Sequence, residues 1–155
     1  MTLKIGDKAP NFSMPTDNDE TVTLSDYNGK MLILYFYPKD DTPGCTKQAC
    51  GFTESLSKFN GVNCNVLGVS KDGVAKHKKF KEKYNLNFPL ASDEGGDVCE
   101  RYGVYGEKSM YGKKYMGITR TTFLIDEAGI VKHIWHKVKV DGHIDDVLKT
   151  INKEA

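Results

Sequence analysis

The run Tyr35-Phe36-Tyr37-Pro38-Lys39-Asp40-Asp41-Thr42-Pro43-Gly44-Cys45-Thr46-Lys47-Gln48-Ala49-Cys50 carries a buried strand into a helix, with a thiol at the junction. Met31 to Tyr37 is unbroken apolar and aromatic sequence, the pattern of a short strand buried on both faces. Pro38 ends it. Thr42 followed by Pro43 is a helix start: Thr serves as N-cap, and Pro takes the first helical position, where its missing N–H has no partner to lose. Cys45 is then the third helical residue. Ala49, Phe52, Leu56 and Phe59 follow it at steps of four, three, four and three, so they share one face of a helix expected to reach about Lys58 and to close at Asn60-Gly61.

A thiol in a first helical turn lies beside unpaired backbone N–H groups and the positive end of the helix dipole. Both favour the anionic sulfur, so Cys45 is expected to be nucleophilic at neutral pH. The Thr42 hydroxyl is expected to cap the amide three residues on, which would bring it close to the Cys45 sulfur. Taken alone, these residues also fit an ordinary capped helix with a buried cysteine.

Working outward, Phe12 to Met14 and Thr21 to Leu24 flank a polar turn and read as a hairpin that covers a sheet edge. Ser25 to Gly29 reads as a turn or a single helical turn. Asn65 to Ser70 is a second buried strand, which with the first strand and its helix makes a parallel β-α-β pair. Val74 to Tyr84 is a lysine-rich helix with Val74, His77, Phe80 and Tyr84 on one side. Phe88 to Ala91 suits an edge strand, and a helix is expected to start at Ser92-Asp93-Glu94-Gly95 and run through Val98, Cys99 and Tyr102.

The stretch from Gly103 to Gly117 holds four glycines and three lysines and reads as a surface loop that walls the site or is simply solvated. Thr119 to Ile125 and Ile130 to Trp135 form an antiparallel pair around the turn Asp126 to Gly129. Asp141 is expected to cap a last amphipathic helix with Ile144, Val147, Leu148 and Ile151 inward. The fold class is α/β: a central mixed sheet flanked by helices, with an N-terminal hairpin.

The chain has 155 residues, 39% of them hydrophobic, and 22 basic against 21 acidic side chains. Those values suit one domain over residues 1–155 and give no electrostatic reason to expect nucleic acid as a partner. The amino terminus shows no apolar segment of signal-peptide length, so a cytoplasmic location and no membrane association are expected. Four cysteines do not make a disulfide-dense secreted scaffold, and Cys45 and Cys50 are the close pair.

The pattern Pro38-x-x-x-Thr42-x-x-Cys45 resembles the active-site motif of the peroxiredoxins. Cys50, five residues on, is similar to the bacterioferritin comigratory protein, or PrxQ, branch. Tyr111 to Gly117 and Thr119 to Asp126 also resemble that branch. The resemblance implies a thioredoxin-like fold and a thiol peroxidase that acts on hydrogen peroxide and organic hydroperoxides, with thioredoxin or a similar dithiol as reductant. It implies no cofactor and no metal, and a monomer. Cys45 would be the peroxidatic sulfur and Cys50 the resolving one.

Attack on a peroxide moves charge from sulfur onto two oxygens in line with it, so donors must be aimed there beforehand. Only Arg101 and Arg120 are arginines; on composition alone Arg120, read as lying within a strand, fits a strand-end arginine snorkelling to a surface carboxylate, whereas the resemblance makes it a planar fork able to hold both the sulfur and a peroxide oxygen. Gln48 is placed one turn beyond Cys45 to orient that guanidinium, Tyr37 backs the site, and Pro38 is expected to shield the sulfur from water. Residues five apart in a helix are rotated by roughly 140° and separated by about 7.5 Å along the axis, beyond disulfide reach, so the first turns would have to unwind before Cys50 could reach Cys45. Cys64 and Cys99 read as structural. Two other readings share these residues: a thioredoxin-like thiol-disulfide oxidoreductase, whose Cys-x-x-Cys is absent here, and a redox-sensing or metal-binding module without turnover.

Overall fold

The computed structural model describes residues 3–154; Met1, Thr2 and Ala155, which the one-domain reading and the reading of the amino terminus also cover, lie outside them. Two short strands, β1 (Ser13–Pro15) and β2 (Thr21–Thr23), pair as a hairpin. A five-stranded mixed sheet follows, built from β3 (Met31–Phe36), β4 (Cys64–Ser70), β5 (Leu90–Ser92), β8 (Thr121–Ile125) and β9 (Val131–Trp135) in the spatial order β5-β4-β3-β8-β9. β3, β4 and β5 are parallel; β8 and β9 run antiparallel to their neighbours. The helices are α1 (Pro43–Asn60), α2 (Val74–Tyr84), the short α3 (Val98–Arg101) and α4 (His143–Glu154).

β3 is the central strand, and every one of its residues is buried. Leu32, Leu34 and Phe36 join the core beneath the hairpin and α3, whereas Ile33, Tyr35 and Tyr37 join the one shared with α1, α2 and α4. Period-two alternation between two apolar layers is why the sequence there shows no polar residue. As expected, the hairpin protects an edge: the amide of Asp17 donates to the Leu90 carbonyl, and Asp17 Oδ1 accepts from the Leu90 amide. The chain after β2 makes one 3-10 turn, Leu24–Tyr27.

Four local expectations are corrected. Gly61 is right-handed (φ −63°), and the left-handed residue after α1 is Asn63 (φ 57°). No helix begins at Ser92: that residue ends β5, and Asp93 instead accepts hydrogen bonds from the amides of Val98 and Cys99, which starts α3 later. The loop expected from Gly103 to Gly117 is an antiparallel ribbon, β6 (Tyr105–Met110) and β7 (Lys113–Ile118), reversed at Tyr111-Gly112 with both residues at positive φ. Neither ribbon face is fully covered, so no alternation of apolar and polar residues marked it. Finally, Asp141 does not start α4. Its carboxylate pairs with Lys47, and the first helical bond runs from the Asp146 amide to the Gly142 carbonyl.

Candidate active site

α1 starts where β3 leaves the sheet, and this places Cys45 beneath the carboxyl end of the central strand. Thr42 has the extended backbone of an N-cap (φ −98°, ψ 156°), but its side chain makes no capping bond. The Thr42 hydroxyl donates to the Lys39 carbonyl at 2.9 Å, which corrects the expectation that it would cap the Cys45 amide. The first helical bond runs from the Thr46 amide to the Thr42 carbonyl at 2.8 Å. The amides of Gly44 and Cys45 therefore have no partner among the described residues, and their dipoles stay available to an anionic group at the helix end.

The Cys45 sulfur is buried, at 1% exposure. Arg120 immediately precedes β8 rather than lying within it, a correction of one residue in its setting. Its guanidinium still faces α1, on the side where Thr122 and Leu124 point. Nη2 donates to Cys45 Sγ at 3.3 Å and Nη1 to Gln48 Oε1 at 2.7 Å. Gln48 is fully buried, as befits a side chain that holds a charged fork in place. Gly44 makes room for it: a Cβ there would stand 3.1 Å from Nη2. The Arg120 carbonyl accepts from the Val138 amide, so the backbone around the arginine is tied on both sides.

Pro38 follows the end of β3 and is exposed. Tyr37 is buried, but its hydroxyl donates to Asp40 Oδ1 at 2.5 Å, so it backs the loop before Cys45 rather than the sulfur itself. Burial, with the anionic Asp40 nearby, pushes the Tyr37 phenol well above its ordinary range and keeps it a donor. Cys50 is half-buried and lies in a groove of about 350 Å³, between Gly51 and Glu54 of α1 and Val140, Gly142 and Ile144 at the start of α4. Desolvation, then the Glu54 carboxylate, raises its thiol above the usual range. All four cysteines are thiols. Burial pushes Cys64 up to about 12 and Cys99 higher still, so neither is a ready nucleophile. Among the described residues no cluster of three or more His, Cys, Asp or Glu side chains is arranged to hold a metal, and no helix is long and apolar enough to cross a membrane.

Residues 5–134 match the AhpC/TSA family. The chain belongs to that family. Its relatives place this AhpC/TSA protein in the Bcp/PrxQ branch of the peroxiredoxins. It is 56% identical over 148 residues to the putative peroxiredoxin bcp of Coxiella burnetii, covering 96% of this chain and 98% of that one. A cysteine-to-serine variant of Xylella fastidiosa PrxQ superposes with a TM-score of 0.94 at 38% identity, covering 99% and 98% of the two chains. The bacterioferritin comigratory protein of Xanthomonas campestris, whose structures concern alkyl peroxide reduction, gives 0.90 at 38% identity over 99% and 98%. The thioredoxin-like architecture expected for the fold is the one these peroxiredoxins share.

Sequence reasoning passed over several groups around the site. Asp40 received no reading of its own, yet it is buried against His77, whose position on the inward stripe of α2 was the one available signal. Asp141 was read only as a helix cap and Val138 received no reading, yet the segment from Val138 to His143 reaches Arg120, Gly44, Lys47 and Thr122 through Val138, Val140, Asp141 and His143. No periodicity marks contacts between a loop and a distant strand.

Proposed function

We propose that this chain is a thiol peroxidase for hydrogen peroxide and organic hydroperoxides, recycled by thioredoxin or a similar dithiol. The observation that carries the reading is the 3.3 Å contact from Arg120 Nη2 to a buried Cys45 sulfur at a helix end whose amides are unpartnered. Cys45, as thiolate, attacks the terminal oxygen of the hydroperoxide. The S–O bond forms as the O–O bond breaks, and the departing alkoxide or hydroxide takes a proton to leave as alcohol or water. The Arg120 fork and the Gly44 and Cys45 amides stabilise charge building on the two oxygens, and Gln48 fixes the fork. Thr42 holds the turn through its bond to Lys39, and Pro38 ends the strand at the rim.

Cys50 then attacks the Cys45 sulfenic acid, forming the disulfide and releasing water. An external dithiol reduces that disulfide by exchange and becomes a disulfide itself. Cys45 and Cys50 lie in one unbroken helix, so the first turns of α1 unwind between the two steps. We take the working unit to be one domain of a single monomer, as the resemblance to the branch implies, and its need for reduced thiols suits the cytoplasm. Alkyl peroxide reduction by the Xanthomonas campestris relative supports the substrate class. A coupled assay with thioredoxin, its reductase and NADPH tests the whole cycle. Steady peroxide-dependent NADPH loss is expected; reduction of insulin by the dithiol form without peroxide turnover would favour the oxidoreductase alternative.

A further inference from the structure

The two residues before Thr42 are tied by their side chains and by one amide to α2 and to the loop after β4. Asp40 is buried, and both of its carboxylate oxygens are engaged, Oδ1 by the Tyr37 hydroxyl at 2.5 Å and Oδ2 by His77 Nδ1 at 2.5 Å. His77, fully buried on α2, has its other nitrogen 3.0 Å from the Ala91 carbonyl. Both ring nitrogens thus face oxygen atoms, and the two contacts together fix the orientation of the ring. The Asp40 amide in turn donates to Asp72 Oδ2 at 2.7 Å, and that same oxygen accepts from the Ser70 hydroxyl at 2.9 Å. Asp41 adopts a left-handed backbone (φ 59°), unfavourable for an L-residue other than glycine unless its surroundings hold it. Its carboxylate accepts from the Tyr84 hydroxyl at 2.7 Å and from Lys83 Nζ at 2.9 Å, both at the end of α2; the second is an exposed ion pair of little worth, so the tyrosine bond is the tie that counts.

Beyond Thr42 the ties are fewer. The Cys45 and Gln48 side chains meet Arg120, and Lys47 meets Asp141 at the exposed surface. Oxidation of Cys45 alters the first of these, and the last is an exposed ion pair of little worth.

We propose that α2 clamps the turn before Cys45 through Asp40 and Asp41, which confines the unwinding of α1 to residues after Thr42 and makes His77 a positioning residue for the Cys45 sulfur. This rests on the peroxidase reading only in taking the disulfide to be part of the cycle. A fixed upstream end returns Cys45 to the same place after each reduction, so the amides and Arg120 need not be reassembled around a free loop. His77 touches neither substrate nor sulfur; it acts through Asp40.

Amide exchange read residue by residue, on the thiol form and on the disulfide form made with diamide, tests this independently of peroxide turnover. In the disulfide form, amides from residue 46, the first of α1 to be bonded, to residue 50 are expected to lose protection by a hundredfold or more, whereas the Asp40 amide keeps its own within threefold. Loss of protection at Asp40 together with Thr46, or failure of diamide to link Cys45 to Cys50, would overturn the clamp. Stopped-flow fluorescence of Trp135, the single tryptophan, then supplies the functional half. His77→Phe is expected to slow peroxide attack at least fivefold and His77→Asn, which keeps a donor toward Asp40, to recover most of the rate. Val131→Ala, in the core on the other face of the sheet, serves as a control for lost stability alone and should leave the attack rate unchanged. A slowing in Val131→Ala equal to that in His77→Phe, or no slowing in His77→Phe, would refute the positioning role. A wild-type protein inert toward peroxide but showing the exchange pattern would overturn the peroxidase reading and leave the clamp standing.

Discussion

Replacing Arg120 perturbs the proposed chemistry with little disturbance of the fold, because its guanidinium lies at the end of the sheet between α1 and β8. In Arg120→Lys the positive charge remains, but one ammonium cannot occupy both places that the fork now fills, 3.3 Å from the Cys45 sulfur and 2.7 Å from Gln48 Oε1. The variant forfeits one charge-assisted hydrogen bond in the transition state, worth about 1.5–3 kcal/mol, which corresponds to a slowing of roughly ten- to a hundredfold. Arg120→Met loses the charge as well. At 3.3 Å and an effective dielectric constant of about 20, the bare Coulomb attraction is about 5 kcal/mol, an upper bound before the desolvation cost of the pair is subtracted. The expected order is therefore wild type, then Arg120→Lys, then Arg120→Met, with the last at least a hundredfold below the first. The assay is the second-order rate of the first phase of Trp135 fluorescence after mixing with peroxide, with urea unfolding run in parallel to confirm that each variant is folded. A folded Arg120→Met that reacts within threefold of wild type would refute the assignment of Arg120 as a transition-state donor.

Gly44→Ala would place a Cβ 3.1 Å from Arg120 Nη2; displacing the guanidinium by a few tenths of an ångström is expected to lower the attack rate about tenfold with unchanged thermal stability, and an unchanged rate would show that the guanidinium is not closely seated. Gly68→Ala meets the buried Tyr35 ring and hydroxyl at 2.9 Å and Leu90 at 3.0 Å, so an overpacking cost of about 1–3 kcal/mol is expected in urea unfolding; neutrality would mean that Tyr35 moves freely. Burial pushes the His143 imidazole down to about 4, with Asp146 opposing and Arg120 assisting. The unfolded chain then binds more protons than the folded one between that value and about 6.5, so stability falls as pH is lowered through the window, by about 1.5 kcal/mol between pH 6.5 and pH 5. His143→Gln should flatten the pH dependence by that amount, and an unaltered slope would contradict the assignment.

Where burial on both faces or a strict helical stripe left its mark, the sequence was legible. Met31 to Tyr37 could be read as the central strand because each of its residues meets an apolar layer, and α1 because Ala49, Phe52 and Phe59 repeat at helical spacing toward that strand. Cys45, Arg120 and Gln48 meet in the structure; the resemblance to the family, rather than composition, singled out Arg120 from the two arginines, and Gln48 could be read equally as helix surface. The ribbon of β6 and β7 left no such mark, since Met110, Tyr111 and Met116 project into solvent as freely as its lysines. Thr42 had the right sequence for a side-chain cap, yet its hydroxyl turned to Lys39: the tight turn at Asp41, with its positive φ, presents that carbonyl instead. Asp40 and His77 lie 37 positions apart in sequence, so only the folded β3-α1-β4-α2 unit shows that they meet.

Single-turnover oxidation of the Cys50→Ser variant tests the assignment of Cys45 as the attacking sulfur most directly. Two equivalents of peroxide are added to the thiol form in the presence of dimedone, which traps sulfenic acid, and the site is read by peptide mass spectrometry. The expected result is one adduct per chain, on Cys45, with no consumption of a second equivalent. Adducts on Cys64 or Cys99, or peroxide consumed at the wild-type rate by Cys45→Ser, would contradict it.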